Sequence, residues 1–270
     1  MQSILAHLSQ LPVDIARLTV WLVLLSMLFV PLERWLAVRR AKLPGRVLAM
    51  DLGLYLLNGL LPAALLGILM SMVAVATQAV MPSAVAVTLG ALPMAVKLPL
   101  SVLIAEAGFY WGHRLSHQIP WLWRYHAVHH QPEHLYFLVN THAHPVDIIV
   151  TRMFGLVPLY ILGLGGASLS GAATPALVIV IGTVWGFFIH SNLRVRLGAL
   201  EWLIATPGFH HWHHTSAEPF NRNFAPTLPL MDKLFGTLHL PQHWPTGYGL
   251  GGPPSAAPQP PHALDVINLK

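Results

Sequence analysis

Two stretches without a single Asp, Glu, Lys or Arg constrain this chain more than anything else in it: residues 52–96 and residues 153–193. They run for 45 and 41 residues. A transmembrane helix needs about 20 consecutive apolar residues, so each stretch is long enough for two crossings, or for one crossing and an interfacial piece. Only 9% of the residues are charged, against about 25% in an ordinary soluble domain. The composition therefore points to lipid as the solvent, and the chain reads as an integral membrane protein.

The sequence contains no cysteine, which excludes disulfides, iron–sulfur clusters and a thiolate-ligated haem. Any redox metal must be held by nitrogen and oxygen. The net charge is +5, but the basic residues gather beside hydrophobic segments. Anionic lipid is thus the expected partner, and nucleic acid is not. The N-terminus has neither a basic n-region nor a small-residue cleavage site, and it reads as a mature end.

A first crossing is expected over residues 15–36, followed by a loop holding Arg34, Arg39, Arg40, Lys42 and Arg46. The positive-inside rule puts that loop in the cytoplasm. A second crossing is expected over 52–76, kinked at Pro62, and then a short outer loop or partly inserted segment over 77–96. A third crossing over 97–117 returns to the basic side. Residues 147–193 read as a hairpin turning near 163–174, and 194–250 as a cytosolic cap of short helices. The Pro-, Gly- and Ala-rich residues 251–270 read as an irregular tail. The expected divisions are 1–96 as a transmembrane region, 97–250 as the catalytic domain, and 251–270 as the tail.

Histidine carries the chemistry. Of 17 histidines, 13 lie between His113 and His214. Three clusters stand out: His113 with His117, then His126 with His129 and His130, and finally His210 with His213 and His214. Helix geometry places residues i, i+3 and i+4 on one face, and imidazole is the commonest metal ligand. Interfacial capping explains scattered histidines such as His7, His239, His243 and His262. It explains the clusters poorly, because packed imidazoles repel when protonated and lack partners when neutral and buried. Eight imidazoles exceed the four ligands of one zinc and suit two ions. Ligand type alone does not name the metal, since imidazole serves iron, zinc, copper and nickel. Glu106 lies about two helical turns before His113. It either orients a ligand histidine or pairs with Arg114 or another basic group.

The order of motifs carries more. Glu106, Tyr110, Trp111, His113, Arg114 and His117 are followed by Leu122, Trp123, Arg124, His126, His129 and His130. Next come His144-Pro145-Val146-Asp147, His190-Ser191-Asn192, Pro207 with His210, His213 and His214, and Asn223-Phe224. The run closes on Asp232-Lys233-Leu234-Phe235-Gly236-Thr237. Over roughly residues 100–240 this resembles the fatty acid hydroxylase/sterol desaturase superfamily. The resemblance implies an all-α polytopic membrane enzyme of about four transmembrane helices, with a cytosolic histidine-rich helical cap holding a dimetal site. It implies two iron ions, with zinc as a substitute, and O2 as co-substrate. The reaction implied is hydroxylation or desaturation of an unactivated C–H bond in a lipid such as a sterol or fatty acyl chain. With no fused haem domain visible, a ferredoxin or a cytochrome with its reductase would supply electrons.

By position, the implied ligands are His113, His117, His126, His129, His130, His210, His213 and His214, joined by His190 and His144. Glu106, Asp147, Asn192 and Asp232 are the acceptors expected for the ligands' spare N–H groups. His142, His211 and His134 are left outside the ligand set. Glu106 stands where the family more often has aspartate, and Met231 where it often has tryptophan. Gly186 stands where fatty acid 2-hydroxylase relatives carry a histidine, which argues against that activity specifically. Two other classes fit the residues less well. A zinc-dependent membrane hydrolase would use zinc-bound water, but no HExxH pairing is present. A non-enzymatic metal-binding transport or sensor protein would line a path through the membrane, whereas these histidines lie beyond the spans.

Overall fold

A backbone in hydrocarbon must close its own hydrogen bonds, and the apolar stretches do so as helices. In a computed structural model, residues 2–40, 42–165 and 169–250 are described. The tail expected over 251–270 lies outside the described residues, as do 166–168 within the expected 163–174 turn. The long helices are α1 (Gln2–Trp35), α2 (Gly45–Val80), α4 (Met94–Gln118), α6 (Pro145–Ile161) and α7 (Leu169–His190). Short ones are α3 (Ser83–Gly90), α5 (Pro120–His126), α8 (Pro207–His213) and α9 (Leu230–Leu234), with 3-10 turns at Phe137–Thr141 and Gly198–Trp202. The described residues form no strand, only two isolated bridges.

Four of these helices are long and apolar enough to cross a membrane: α1 from Gln10, α2, α4, and α7 from Ala173. Their outer faces leave large apolar side chains uncovered, such as Met27 at 70% and Val75 at 69% exposure, as suits contact with lipid tails. Helix α2 is longer than the expected crossing at both ends, and the expected outer loop contains α3. Prolines set these boundaries: Pro44, Pro82 and Pro93 each immediately precede a helix, where a missing N–H costs nothing.

Helix α6 packs on α4 through small residues. A Cβ at Gly108 would collide with the Phe154 carbonyl, and one at Gly112 would press on the Phe154 side chain. Such glycines let two backbones approach closely in a bilayer. The start of α6 is thereby held beside the end of α4. The ends of α1 and α7 are also tied together. Arg194 N–H donates to Leu36 O at 2.7 Å, and Asn192 Oδ1 accepts from the backbone N–H of Val38 and Arg39 at 3.1 and 3.2 Å. Glu33 completes this clamp, accepting from Phe137 N–H at 2.8 Å and Asn192 N–H at 2.9 Å. The basic loop and the histidine segments therefore lie at the same end of the helix bundle.

Candidate metal centre

Nine histidines converge into two groups. His113, His117, His126, His130 and His213 form one, and His129, His190, His210 and His214 the other. Within each group, one candidate ligand atom per residue lies within 4.8 Å of all the others. The groups adjoin, with the His130 and His214 rings stacked at 4.5 Å between centroids.

The pairing follows helix geometry. Residues i and i+4 of a helix stack on one face, so His113 with His117 of α4 enters the first group and His210 with His214, at the end of α8, the second; His126 and His130 share the first group across the turns after α5. The i+3 histidine of each HxxHH stretch crosses over: His129 joins the second group and His213 the first. Helix α5 ends at His126. The following turns, closed by His129 N–H to His126 O and His130 N–H to Ala127 O, splay the motif between the two groups.

The hydrogen bonds fix which nitrogen faces inward. His113 Nδ1–H donates to Phe224 O at 2.7 Å, His129 Nδ1–H to His142 O at 3.1 Å, and His213 Nδ1–H to Arg222 O at 2.9 Å. His190 Nδ1–H donates to Gly186 O at 2.7 Å and His117 Nδ1–H to Asn221 Oδ1 at 3.2 Å. His126 Nδ1–H donates to both Asp147 oxygens at 3.0 Å. A neutral imidazole that donates from Nδ1 has its lone pair on Nε2. Those lone pairs meet. His117 and His213 bring Nε2 atoms to 3.3 Å, and His129 and His190 to 3.1 Å. Two acceptors at that distance repel unless a cation lies between them. His113 Nε2 is moreover buried without a partner, and His210 Nε2 lies 2.9 Å from His190 Nε2 and 3.1 Å from His214 Nε2. The donor set thus fits metal ions.

Protonation does not resolve the repulsion. Burial pushes His129, His130, His210, His213 and His214 well below the ordinary imidazole range, and neighbouring histidines push them further. They are neutral at pH 7, which is the ligand form.

The remaining expected residues fall elsewhere, with one exception. Asp147 does accept from a clustered histidine, as above. His144 joins neither group: its Nδ1 accepts Val146 N–H at 3.1 Å as the N-cap of α6, and its ring lies against Tyr125. Asn192 hydrogen-bonds to no histidine among the described residues: its side chain accepts from Val38 and Arg39 N–H and donates to Arg39 O. Glu106 hydrogen-bonds to no histidine among the described residues and does not pair with Arg114. It accepts from Thr227 N–H at 3.3 Å and Leu228 N–H at 3.0 Å, while Arg114 donates to Tyr110 Oη. Asp232 likewise accepts from the Phe224 and Ala225 N–H groups, at 2.8 Å each, positioning the strand of chain whose Phe224 carbonyl orients His113. His211 points away, with Nδ1 on Tyr248 Oη and Nε2 on Ser191 O.

Sequence reasoning missed Asp51. Its carboxylate meets His142 Nδ1 at 2.5 Å and accepts the Tyr136 hydroxyl, steadying the backbone carbonyl that orients His129. The available signal was a lone acid one residue before a 45-residue uncharged stretch, since acids in apolar helices are normally functional.

A cavity of about 400 Å³ opens beside the centre. His113, His126, His129, His190 and His210 line it, together with largely apolar walls from Leu18, Trp21 and Leu25 of α1, Tyr55 of α2, and Val178–Val184, Gly186 and Phe187 of α7.

A family model described as fatty acid hydroxylase matches residues 98–237, just over half of the chain. Curated relatives include an ornithine lipid hydroxylase of Rhizobium tropici, 35% identical over 153 residues, covering 55% of this chain and 44% of the relative. An alkylglycerol monooxygenase of Homo sapiens is 30% identical, covering 55% and 32%. A methylsterol monooxygenase of Arabidopsis thaliana is 28% identical, covering 50% and 49%. The chain thus spans less than half the length of these relatives. No solved structure matches it.

Proposed function

This chain belongs to the fatty acid hydroxylase family, and from that premise we propose that it is an O2-dependent di-iron membrane oxygenase acting on an unactivated C–H bond of a lipid. The overall change is R–H + O2 + 2 e⁻ + 2 H⁺ → R–OH + H2O, with desaturation as the alternative outcome of the same oxidation. The observation that carries the reading is the convergence of nine imidazoles, with facing lone pairs, beside a largely apolar cavity. When bound, a pair of iron ions would supply the reductive activation of O2.

The chain's own residues do the rest. His113, His117, His126, His130 and His213 would hold one ion, and His129, His190, His210 and His214 the other. Asp147 keeps His126 in the tautomer that presents Nε2, and the carbonyls of Phe224, His142, Gly186 and Arg222 do the same for His113, His129, His190 and His213. The cavity walls receive the lipid and exclude water from the reacting end. Residues 97–250 would be the catalytic unit. The relatives' names include a sterol and two glycerol- or amino-acid-based lipids, so a sterol or fatty acyl chain fits the substrate class. Electrons would come from an external ferredoxin or cytochrome. The basic loop beside the centre supports a cytoplasmic active site.

Purification under anaerobic conditions with iron should give near two irons per chain. Added reductant and lipid extract should then drive O2 uptake and the appearance of a hydroxylated or unsaturated lipid. Zinc-only loading with ester or amide cleavage and no O2 uptake would replace this reading with the hydrolase.

A further inference from the structure

Helix α6 carries only two charged residues, Asp147 and Arg152, and both line the cavity. Asp147 is committed to His126. Arg152, half-buried, has no hydrogen-bond or ion-pair partner among the described residues. The other half-buried arginines do have partners. Arg39 lies over the Tyr248 ring, Arg114 donates to Tyr110 Oη, Arg196 to Glu201 and Arg222 to Gly236 O. Glu106, the second carboxylate on the cavity, is occupied by two backbone N–H groups of the 227–228 turn.

A cation in a largely apolar cavity wall is costly and normally paired. Arg152 lines the cavity, so a ligand within the cavity can supply the missing partner. A guanidinium offers a planar fork of donors matched to two oxygens of one anion. We propose that Arg152 anchors an oxyanion of the lipid substrate, a carboxylate or a phosphate. This rests on the reading that the cavity is where a lipid is oxidised, and it narrows that substrate to an acidic amphiphile. Arg152 lies five residues beyond Asp147, about 7.5 Å further along the helix axis, so the anchored group and the imidazoles share one chamber.

The test compares hexadecanoate, hexadecyl phosphate and methyl hexadecanoate as ligands of the iron-loaded protein in detergent under argon. At least one of the two anions should bind tenfold or more tightly than the methyl ester, and which one does so identifies the oxyanion. Arg152→Gln should cut that preference at least tenfold with iron content retained, and Arg152→Lys should keep part of it. Wild-type affinities within twofold of each other for all three probes would overturn the anchor without need of any variant, as would an equal loss for all three in R152Q. Admitting air and reductant separates the two readings. An anionic preference with no probe oxidised would count against the oxygenase and leave the anchor standing, whereas oxidation without preference would do the reverse.

Discussion

His126 and His129 are three positions apart and serve different groups, whereas His126 and His130 are four apart and serve the same one. The i, i+4 pair therefore stays within one group, and the extra histidine of each HxxHH stretch stitches the two groups together. Spacing made the convergence legible but not this interleaving, which depends on where α5 stops. Polar residues were harder to read for a related reason. Glu106 and Asn192 are spent on backbone N–H groups 121 and 154 positions away, and no local pattern reveals which distant amide needs an acceptor. Asp147 and His144 give a direct comparison at this scale. Asp147→Ala removes the acceptor that orients His126, and such losses typically cost 10–100-fold in metal affinity or activity. We predict at least a tenfold fall in turnover together with reduced iron content. His144→Ala removes only an N-cap, worth about 1 kcal/mol. Metal analysis should find its iron unchanged, and a fall toward one iron per chain would return His144 to the ligand set.

Helices were legible because uncharged stretches of 45 and 41 residues leave the backbone few alternatives. Their ends were less so, although proline before α2, α3 and α4 marks where each begins. Contacts between helices were not legible at all. Nothing in the sequence around Gly108 says that α6 lies against it, yet Phe154 leaves no room there for a side chain. The α4–α6 contact matters beyond packing, because α4 ends in His113 and His117 while α6 begins with Asp147. Gly108→Val should force the helices apart, at an overpacking cost of about 1–3 kcal/mol. The expected result is a lower melting temperature in detergent and a loss of iron. Gly67 on α2 faces open space, so Gly67→Val is the matched control and should hold or raise stability. Equal behaviour of the two variants would mean that the close approach of α4 and α6 is not what holds the centre's wall in place.

For the whole molecule, the convergence of imidazoles from α4, α5, α7 and α8 and the turns that follow them requires that the ends of those helices meet on a single side of the bilayer. The basic loop after α1 is bonded to the end of α7, so it must share that side. The positive-inside rule then predicts the sign: Arg34, Arg39, Arg40, Lys42 and Arg46, in and beside the loop, would hold it in the cytoplasm, and the cap would go with it. The absence of cysteine makes this directly measurable with single engineered thiols at exposed positions. Arg40→Cys in the basic loop and Glu218→Cys in the cap should react with a membrane-impermeant maleimide only in inverted vesicles. Ala84→Cys in α3, which follows the far end of α2, should react in intact cells. Reversal of all three would move the centre to the outer face while leaving its geometry intact. Labelling of Arg40→Cys and Glu218→Cys from opposite sides would be more damaging, because the hydrogen bonds joining the basic loop to the end of α7 could not then form, and the parity that brings nine imidazoles together would fail.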